Sequence, residues 1–522
     1  MLKKICGKWG YGVLKKLLFG EVKLLGQSAY SIAMKEMGQL IETANAKQKY
    51  LPGPVYNVLG YGAKGDARTD DTKAFQKAID AASVKGGIVY VPSGEYVCGP
   101  IVIAASNVTF CGSGMSSTIY FTSPTGTWLT IRDARDVTVQ DLNFENTLNP
   151  TSGNVINIDN CAWVIIDHVK MGFYTNIYNG VSITSIRGGV QAVYIRNSFI
   201  FKFRGSAITA DTSVVGSQTI NDIFLENCFI QWLASNVGEI PPSTSIGVKL
   251  YSVYAAVQAI NITDCEISAS YWTFYSVGSR FLRITNSYFD GNNYFETVNI
   301  STFSNSWFSG STGANNAAHT VDINNCVGFQ LINCHIDPES VLNSNSSNII
   351  IRGTSNHVKI DGCMLGGAGY VGITLSGGDN ILLTGNYFGN NNAFLNPENM
   401  ATGVKILSSF SGFANMSNND MREMATKINN AATTSGKIFA QGNLGYNPVG
   451  SLSAPAMPSS GSGAVNTYPH RVRISITGGT GVGLFINSVS IGLSSGSFIL
   501  EPGESIAMTY STPPTSWVWQ GL

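Results

Sequence analysis

Ile195-Arg196-Asn197-Ser198-Phe199-Ile200, read as IRNSFI, returns as LENCFI (Leu225 to Ile230), ITDCEI (Ile262 to Ile267) and ITNSYF (Ile284 to Phe289). It returns again as FSNSWF (Phe303 to Phe308) and LINCHI (Leu331 to Ile336), with VQDLNF (Val139 to Phe144) before these copies. IDGCML (Ile360 to Leu365), LTGNYF (Leu383 to Phe388) and MSNNDM (Met416 to Met421) follow. Each phrase is apolar, free, Asn/Asp/Gly, small, free, apolar. The third positions recur after 19 residues (Asn286 to Asn305) to 37 residues (Asn227 to Asp264). A repeat of this length without helical periodicity predicts a β-solenoid, one coil per phrase. The first, fourth and sixth positions are expected to point inward, with a bend at the third, where Asn or Gly tolerates left-handed backbone. Cys228, Cys265, Cys334 and Cys363 share the fourth position and are expected to stack as small apolar groups. Such a rod offers long outer faces, which suit an extended polymer better than a small molecule.

Composition agrees. Of 522 residues only 12% are charged and 57 are Gly, which suits many turns and excludes a coiled coil or a disordered chain. The formal net charge is zero, which argues against a nucleic-acid partner. The nine cysteines fall mostly at ladder positions, so buried thiols are expected rather than disulfides, and folding in a reducing cytoplasm. No apolar run reaches the ~18 residues of a membrane span. The first twenty residues carry Lys8, Lys15 and Lys16 where a signal peptide needs an uninterrupted apolar core. No membrane insertion is expected.

Residues 1–50 carry nine lysines against three glutamates. Leu18, Val22, Leu25, Ala29 and Ile32, then Ala33, Met37, Leu40 and Ala44, form an apolar helical stripe. LPGP (Leu51 to Pro54) ends it. This segment reads as a helical stem or anchor that joins three chains or docks into a larger particle, the alternative being a helix packed on its own domain. Further on, Asp70 or Thr69 is expected to cap a helix from about Asp71 to Ser83, stopped by Gly86-Gly87. After Gly445 a Pro/Ser/Gly linker is read over residues 446–467, and several short strands over 468–522 suggest a small β-sandwich. Trp517 and Trp519 fit either an interface or a ligand shelf there.

The phrase Gly62-Ala63-Lys64-Gly65-Asp66, then Asp70-Asp71-Thr72, Ala74, Gln76, Ala78 and Ile79, closely resembles the opening module of the pectate-lyase-like superfamily found in phage tailspikes and polysaccharide depolymerases. With the coil repeats, the resemblance covers about residues 55–445, the module itself being 55–125. It implies an all-β protein built on a right-handed parallel β-helix. It also implies a homotrimer on a virion, assembled in the host cytoplasm, with residues 1–50 bound to a baseplate or tail protein and a bacterial surface polysaccharide as ligand. The fold hosts lyases, hydrolases and non-catalytic adhesins alike. Asp66, Asp70 and Asp71 are explained by turn formation and capping rather than catalysis.

No P-loop, H-E-x-x-H, G-x-S-x-G or paired C-x-x-C motif occurs, and the five histidines lack metal-ligand spacing, so no cofactor or metal is expected. The N-T-D, D-D, G-H-G and R-I-K phrases of polygalacturonases are absent, which disfavours that family. Ile166-Asp167-His168 faintly resembles a pectate-lyase phrase, yet sits where the repeat puts a turn. The fifth positions set Phe199, Phe229, Glu266, Tyr288, Trp307, His335, Met364 and Tyr387 along one outward face. Aromatic faces pack on the C–H faces of sugars, and the same stripe would serve as a subunit interface. Phe229, Trp232, Tyr288, Trp307, His335 and Trp272 are the expected substrate contacts. Asp290 and Asp337 take seventh positions on that face. Glu266 and Asp290 are expected one coil and two residues apart, roughly 8 Å between Cα atoms, within reach of a general acid/base pair. Glu239, in the insertion WLASNVGEIPPSTS, and Asp211 are further catalytic candidates, with Glu296 in the same third of the rod. Hydrolysis is favoured over β-elimination by the wealth of acids; a lyase using Arg280, Arg283 or His335 and a non-catalytic adhesin are the alternatives.

Overall fold

The computed structural model describes residues 54–232, 244–310, 319–338, 346–367, 371–389, 400–432, 437–446 and 450–522. The stem expected over residues 1–50 lies outside them, as does Glu239.

Every coil contributes one strand to each of three parallel sheets, and 37 strands join into a single parallel β-helix. Sheet I holds very short strands, such as Phe229–Gln231, Glu266–Ser268, Tyr288–Asp290 and Trp307–Ser309. Sheet II holds Ser206–Asp211, Ile246–Tyr251, Trp272–Val277 and Asn293–Glu296 at the same levels. Sheet III holds Ile220–Glu226, Val257–Thr263, Arg280–Thr285 and Asn299–Ser304. Asn197, Asn227, Asp264, Asn286, Asn305, Asn333 and Asn418 all have φ between +49° and +56°, at the corner where sheet III passes into sheet I. That left-handed step is why the repeat demands Asn, Asp or Gly at its third position. The side chains then pair along the rod: Asn227 Nδ2 donates to Asn197 Oδ1 at 2.9 Å, and Asn197 Nδ2 to Asp167 Oδ1 at 2.9 Å. His168 belongs to this corner too, with φ +50° and its Nδ1 2.7 Å from Asp141 Oδ1.

The inward positions form one continuous core. Ile195, Leu225, Ile262, Ile284, Phe303 and Leu331 are buried, as are Ile200, Ile230, Ile267, Phe289, Phe308 and Ile336. In the fourth column Cys228 and Cys265 stack, Ser287 and Ser306 interrupt, and Cys334 and Cys363 resume. The eight described cysteines are all free, and burial pushes the Cys326 thiol up to about 12. Towards the C-terminal end the same column becomes a buried amide ladder, Asn386 donating to Asn419 Oδ1 at 2.9 Å and Asn419 to Asn443 Oδ1 at 2.8 Å.

The opening module explains its own motif. A helix spans Thr72–Ala82 and buries Ala74, Phe75, Ala78, Ile79 and Ala82. Phe75 packs on Tyr96 and Phe110 at ring-centroid distances of 5.3 and 6.1 Å. Gln76 exchanges two hydrogen bonds with the backbone of Val102 (3.0 and 2.9 Å), fastening the helix to a coil edge that has no next coil. Asp70 accepts from Thr72 N at 3.0 Å, while Asp71, at the N-cap position, turns back to accept from Lys64 N and Gly65 N. The three aspartates are therefore structural: Asp66 closes its own turn by accepting from Arg68 N and Thr69 N.

Residues 450–522 form two four-stranded antiparallel sheets around Val472, Ile474, Ile476, Leu484, Leu500, Ile506, Met508 and Trp519. Two of these strands, Gly450–Leu452 and Ser462–Val465, lie within the stretch read from sequence as a linker. Ser and Gly carry no strand signal, and pairing with Ser516–Gly521 and Ser505–Thr509 supplies the order instead. Trp519 is a core residue and Trp517 donates to Pro455 O at 2.8 Å, so this pair does not form a ligand shelf.

Candidate functional site

A three-residue strand has one inward side chain flanked by two outward ones, so sheet I presents two outward columns. The first runs Lys170, Phe199, Phe229, Glu266, Tyr288, Trp307, His335, Met364 and Tyr387, each residue in direct register with the next. The second runs Gln231, Ser268, Asp290 and Ser309, with Asp337 following on.

Rings and carboxyls alternate on this face. Trp307 stacks on His335 (5.0 Å, 7° between planes), and Tyr288 leans on Trp307 at 5.3 Å. Asp290 accepts from Ser268 Oγ at 3.0 Å and from Ser309 Oγ at 3.1 Å. Ser309 Oγ also lies 2.8 Å from Tyr288 OH. Glu266, one coil away and half-buried, has its carboxyl raised above the usual range, first by burial and then by the Asp290 charge. A raised acid beside a hydroxyl-held carboxylate is the arrangement that general acid/base chemistry requires. Asp337, named in the sequence only as an acid on this face, is 3% exposed, and burial pushes its carboxyl up to about 6. Among the described residues its Oδ1 has no hydrogen-bond partner; its Oδ2 lies 3.6 Å from His335 Nε2, and burial lowers the His335 imidazole. The close approach of this carboxyl fixes Gly367, at φ +76°, because a Cβ there would collide with Asp337 Oδ1.

Asp211 and Trp272 do not join this group. Both lie on sheet II, around the edge of the prism: Asp211, read from the sequence as part of a loop bordering the site, ends the strand Ser206–Asp211, and Trp272 begins Trp272–Val277. Four residues separate the sheet I strand Phe199–Phe201 from Ser206–Asp211 and three separate Glu266–Ser268 from Trp272–Val277, so closeness in sequence places side chains on different faces. Asp211 accepts from Ser213 N at 2.7 Å and pairs with Lys249 at 3.5 Å, lining a 390 Å3 cavity with Tyr178, Asn179 and Thr209. Further along, Trp272 sits 5.4 Å from Tyr294, which stacks on Tyr275 at 5.4 Å. Glu296 accepts from Tyr294 OH and Asn324, and Asp322 is held by Arg352 at 2.8 and 3.1 Å. These acids are already matched, which suits binding more than proton transfer. Trp232 is half-buried directly after the sheet I strand Phe229–Gln231. Among the described residues no cluster of His, Cys, Asp and Glu could hold a metal ion, and no helix is long and apolar enough to cross a membrane.

Residues 55–267 match the family described as rhamnogalacturonase A/epimerase, pectate lyase-like. Alginate lyase 7 of Azotobacter vinelandii is 35% identical over 167 residues, 28% of this chain and 17% of that protein. Mannuronan C5-epimerase AlgE5 of the same organism is 47% identical over 72 residues, 12% of this chain and 7% of that protein. The chain therefore spans less than a fifth of the length of these two relatives. An exopolygalacturonase of Arabidopsis thaliana is 26% identical over 161 residues, 29% of this chain and 33% of that protein, a likeness the missing polygalacturonase phrases did not foreshadow. Tailspike protein 3 of bacteriophage CBA120 superposes with a TM-score of 0.54 at 14% identity, over 79% of this chain and 66% of that chain, and shares its fold.

Proposed function

We propose that this chain binds and depolymerises a bacterial surface polysaccharide as a phage tailspike, with hydrolysis on the outer face of sheet I. The observation that carries the reading is the pair Glu266 and Asp290, a raised acid one coil from a hydroxyl-held carboxylate, set in a column of stacked rings. The relatives are named as enzymes of polysaccharides, which supports the substrate class. The motif of residues 62–79 supports the tailspike context, and the buried free thiols fit assembly in a reducing host cytoplasm.

In this reading Glu266 protonates the leaving glycosidic oxygen and Asp290 acts on the opposite side of the bond. Cα atoms roughly 8 Å apart allow carboxyl separations that serve either an inverting or a retaining route. Incubating the protein with host polysaccharides is expected to release new reducing ends without the ultraviolet absorbance of an unsaturated sugar. Absorbance would favour elimination, for which the Lys249–Asp211 cavity on sheet II offers a base beside an acid. Binding with neither signal would make the chain an adhesin.

Assembly follows from the same outer surface. Val214, Val215, Val253, Tyr254, Phe281 and Ile300 are exposed along the corner between sheets II and III. A homotrimer that covers this apolar strip is the expected form, with residues 1–50 as the virion anchor. Light scattering of the purified chain reads its mass directly, and a stable monomer would exclude the trimer.

A further inference from the structure

Lys202 follows the sheet I strand Phe199–Phe201 in left-handed backbone (φ +46°) and is only 3% exposed. Its ammonium carries three donors, and the acceptor it reaches is Tyr174 O at 3.5 Å, the outer limit of a hydrogen bond. Among the described residues no carboxylate forms an ion pair with it. The nearby buried acid, Glu145, is already occupied: it accepts from Phe173 N (3.2 Å), Tyr174 N (3.2 Å), Thr175 N (3.0 Å) and Thr175 Oγ1 (2.8 Å). A buried charge without a counter-charge is costly, and it persists where something else supplies the opposite sign.

Beside Lys202 the fold leaves a 240 Å3 cavity, far more than the ~10–15 Å3 that one water needs. Asn146, Asn149, Tyr174, Thr175 and Asn176 line it together with Thr147 and Leu148, a set rich in amide and hydroxyl groups. Phe173 and Tyr174 stand at its edge, 38% and 69% exposed and edge-to-face at 4.8 Å. The Lys170 ammonium lies 4.2 Å from the Phe173 ring centroid, adding a second positive group at the rim. Lys170 opens the same outward column that reaches Phe199, Phe229 and Glu266 on the next three coils. At about 4.8 Å per coil, this rim stands ~14 Å from Glu266 along the rod.

We infer that this cavity is an oxyanion subsite: it takes a carboxylate or phosphate group of a polymer lying along sheet I, held by Lys202 and the surrounding amides. The inference rests on the polysaccharide reading of that face and narrows it to chains that carry an acidic group a few sugars from the bond cleaved.

Calorimetric titration of the full chain with inorganic phosphate, a glucuronate oligomer and a neutral oligosaccharide tests it. The wild type is expected to bind phosphate or the glucuronate oligomer in a salt-sensitive manner, and which of the two binds tells phosphate from carboxylate chemistry. Lys202→Met is expected to weaken the acidic ligand at least about tenfold, to leave any neutral-ligand affinity unchanged, and to keep or raise the melting temperature. Asn176→Asp, on the half-exposed rim, is expected to weaken the same ligand by repulsion without touching Lys202. Failure of the wild type to bind either acidic probe overturns the subsite, as does wild-type affinity in both variants. So does a Lys202→Met protein that melts earlier while binding unchanged, because Lys202 would then serve only Tyr174 O. Cleavage of neutral polysaccharide alone would overturn the subsite and leave the depolymerase intact; acidic binding without any cleavage would do the reverse.

Discussion

Glu266→Gln and Asp290→Asn are each expected to lower turnover on a susceptible polysaccharide by about 10²–10⁴-fold, the loss that follows removal of a general acid or base. Binding and melting temperature should barely move, because both side chains point outward from sheet I and neither fills the core. The loss should fall on kcat and not on KM, since proton transfer is felt in the transition state. The wild-type pH profile is expected to fall on the alkaline side as Glu266, its carboxyl raised by burial, loses its proton. Asp211→Asn provides the control from sheet II. If it abolishes cleavage while both sheet I variants turn over normally, the chemistry belongs to the Lys249 cavity and the sheet I assignment is wrong.

Asp337→Asn is expected to stabilise the protein above pH 6 and to leave it unchanged near pH 3.5. An aspartate in an unfolded chain titrates near 3.8, whereas burial raises Asp337 to about 6. Between those values the unfolded chain releases the proton while the folded one retains it. The contribution to stability is therefore complete below 3.8 and lost as the pH rises through about 6. A shift of that size, reduced for screening by water, corresponds to about 1–2 kcal/mol. His335 acts in the opposite sense: burial lowers its pKa, so it costs stability as the pH falls through and below 6.5. Comparing variant with wild type at each pH removes most of that background. Identical melting curves at pH 8 would show that the Asp337 charge is matched by a group other than His335, such as one from a neighbouring subunit.

The coil repeat was legible because its bend is chemically selective. Only a few residue types accept φ near +50°, so Asn197, Asn227 and Asn286 announce the corner in the sequence itself. The alternation around each corner then placed Glu266, Tyr288 and Trp307 on one outward column, as the register shows. The identity of the sheet beyond the next corner was not legible, because turn lengths vary there. The sequence therefore named Asp211 and Trp272 without saying which sheet carries them. Asp337 and Lys202 differ again: what distinguishes them is burial with few partners, and a sequence records residues but not how many hydrogen bonds each one finds. The strands at 450–452 and 462–465 escaped because their order comes from distant partners and not from local propensity.

The strands of each described coil pair with those of the coil before and the coil after it. Information therefore passes along the rod as along a stack of coins: a substitution is felt by its immediate neighbours and fades within a coil or two. Length becomes adjustable. A whole coil can be gained or lost provided the left-handed Asn step is kept, whereas a single inserted residue within a sheet I strand would turn every outward side chain of that strand inward. Diversification has two separate dials, corner loops that change what is recognised and coil number that changes how far the rod reaches.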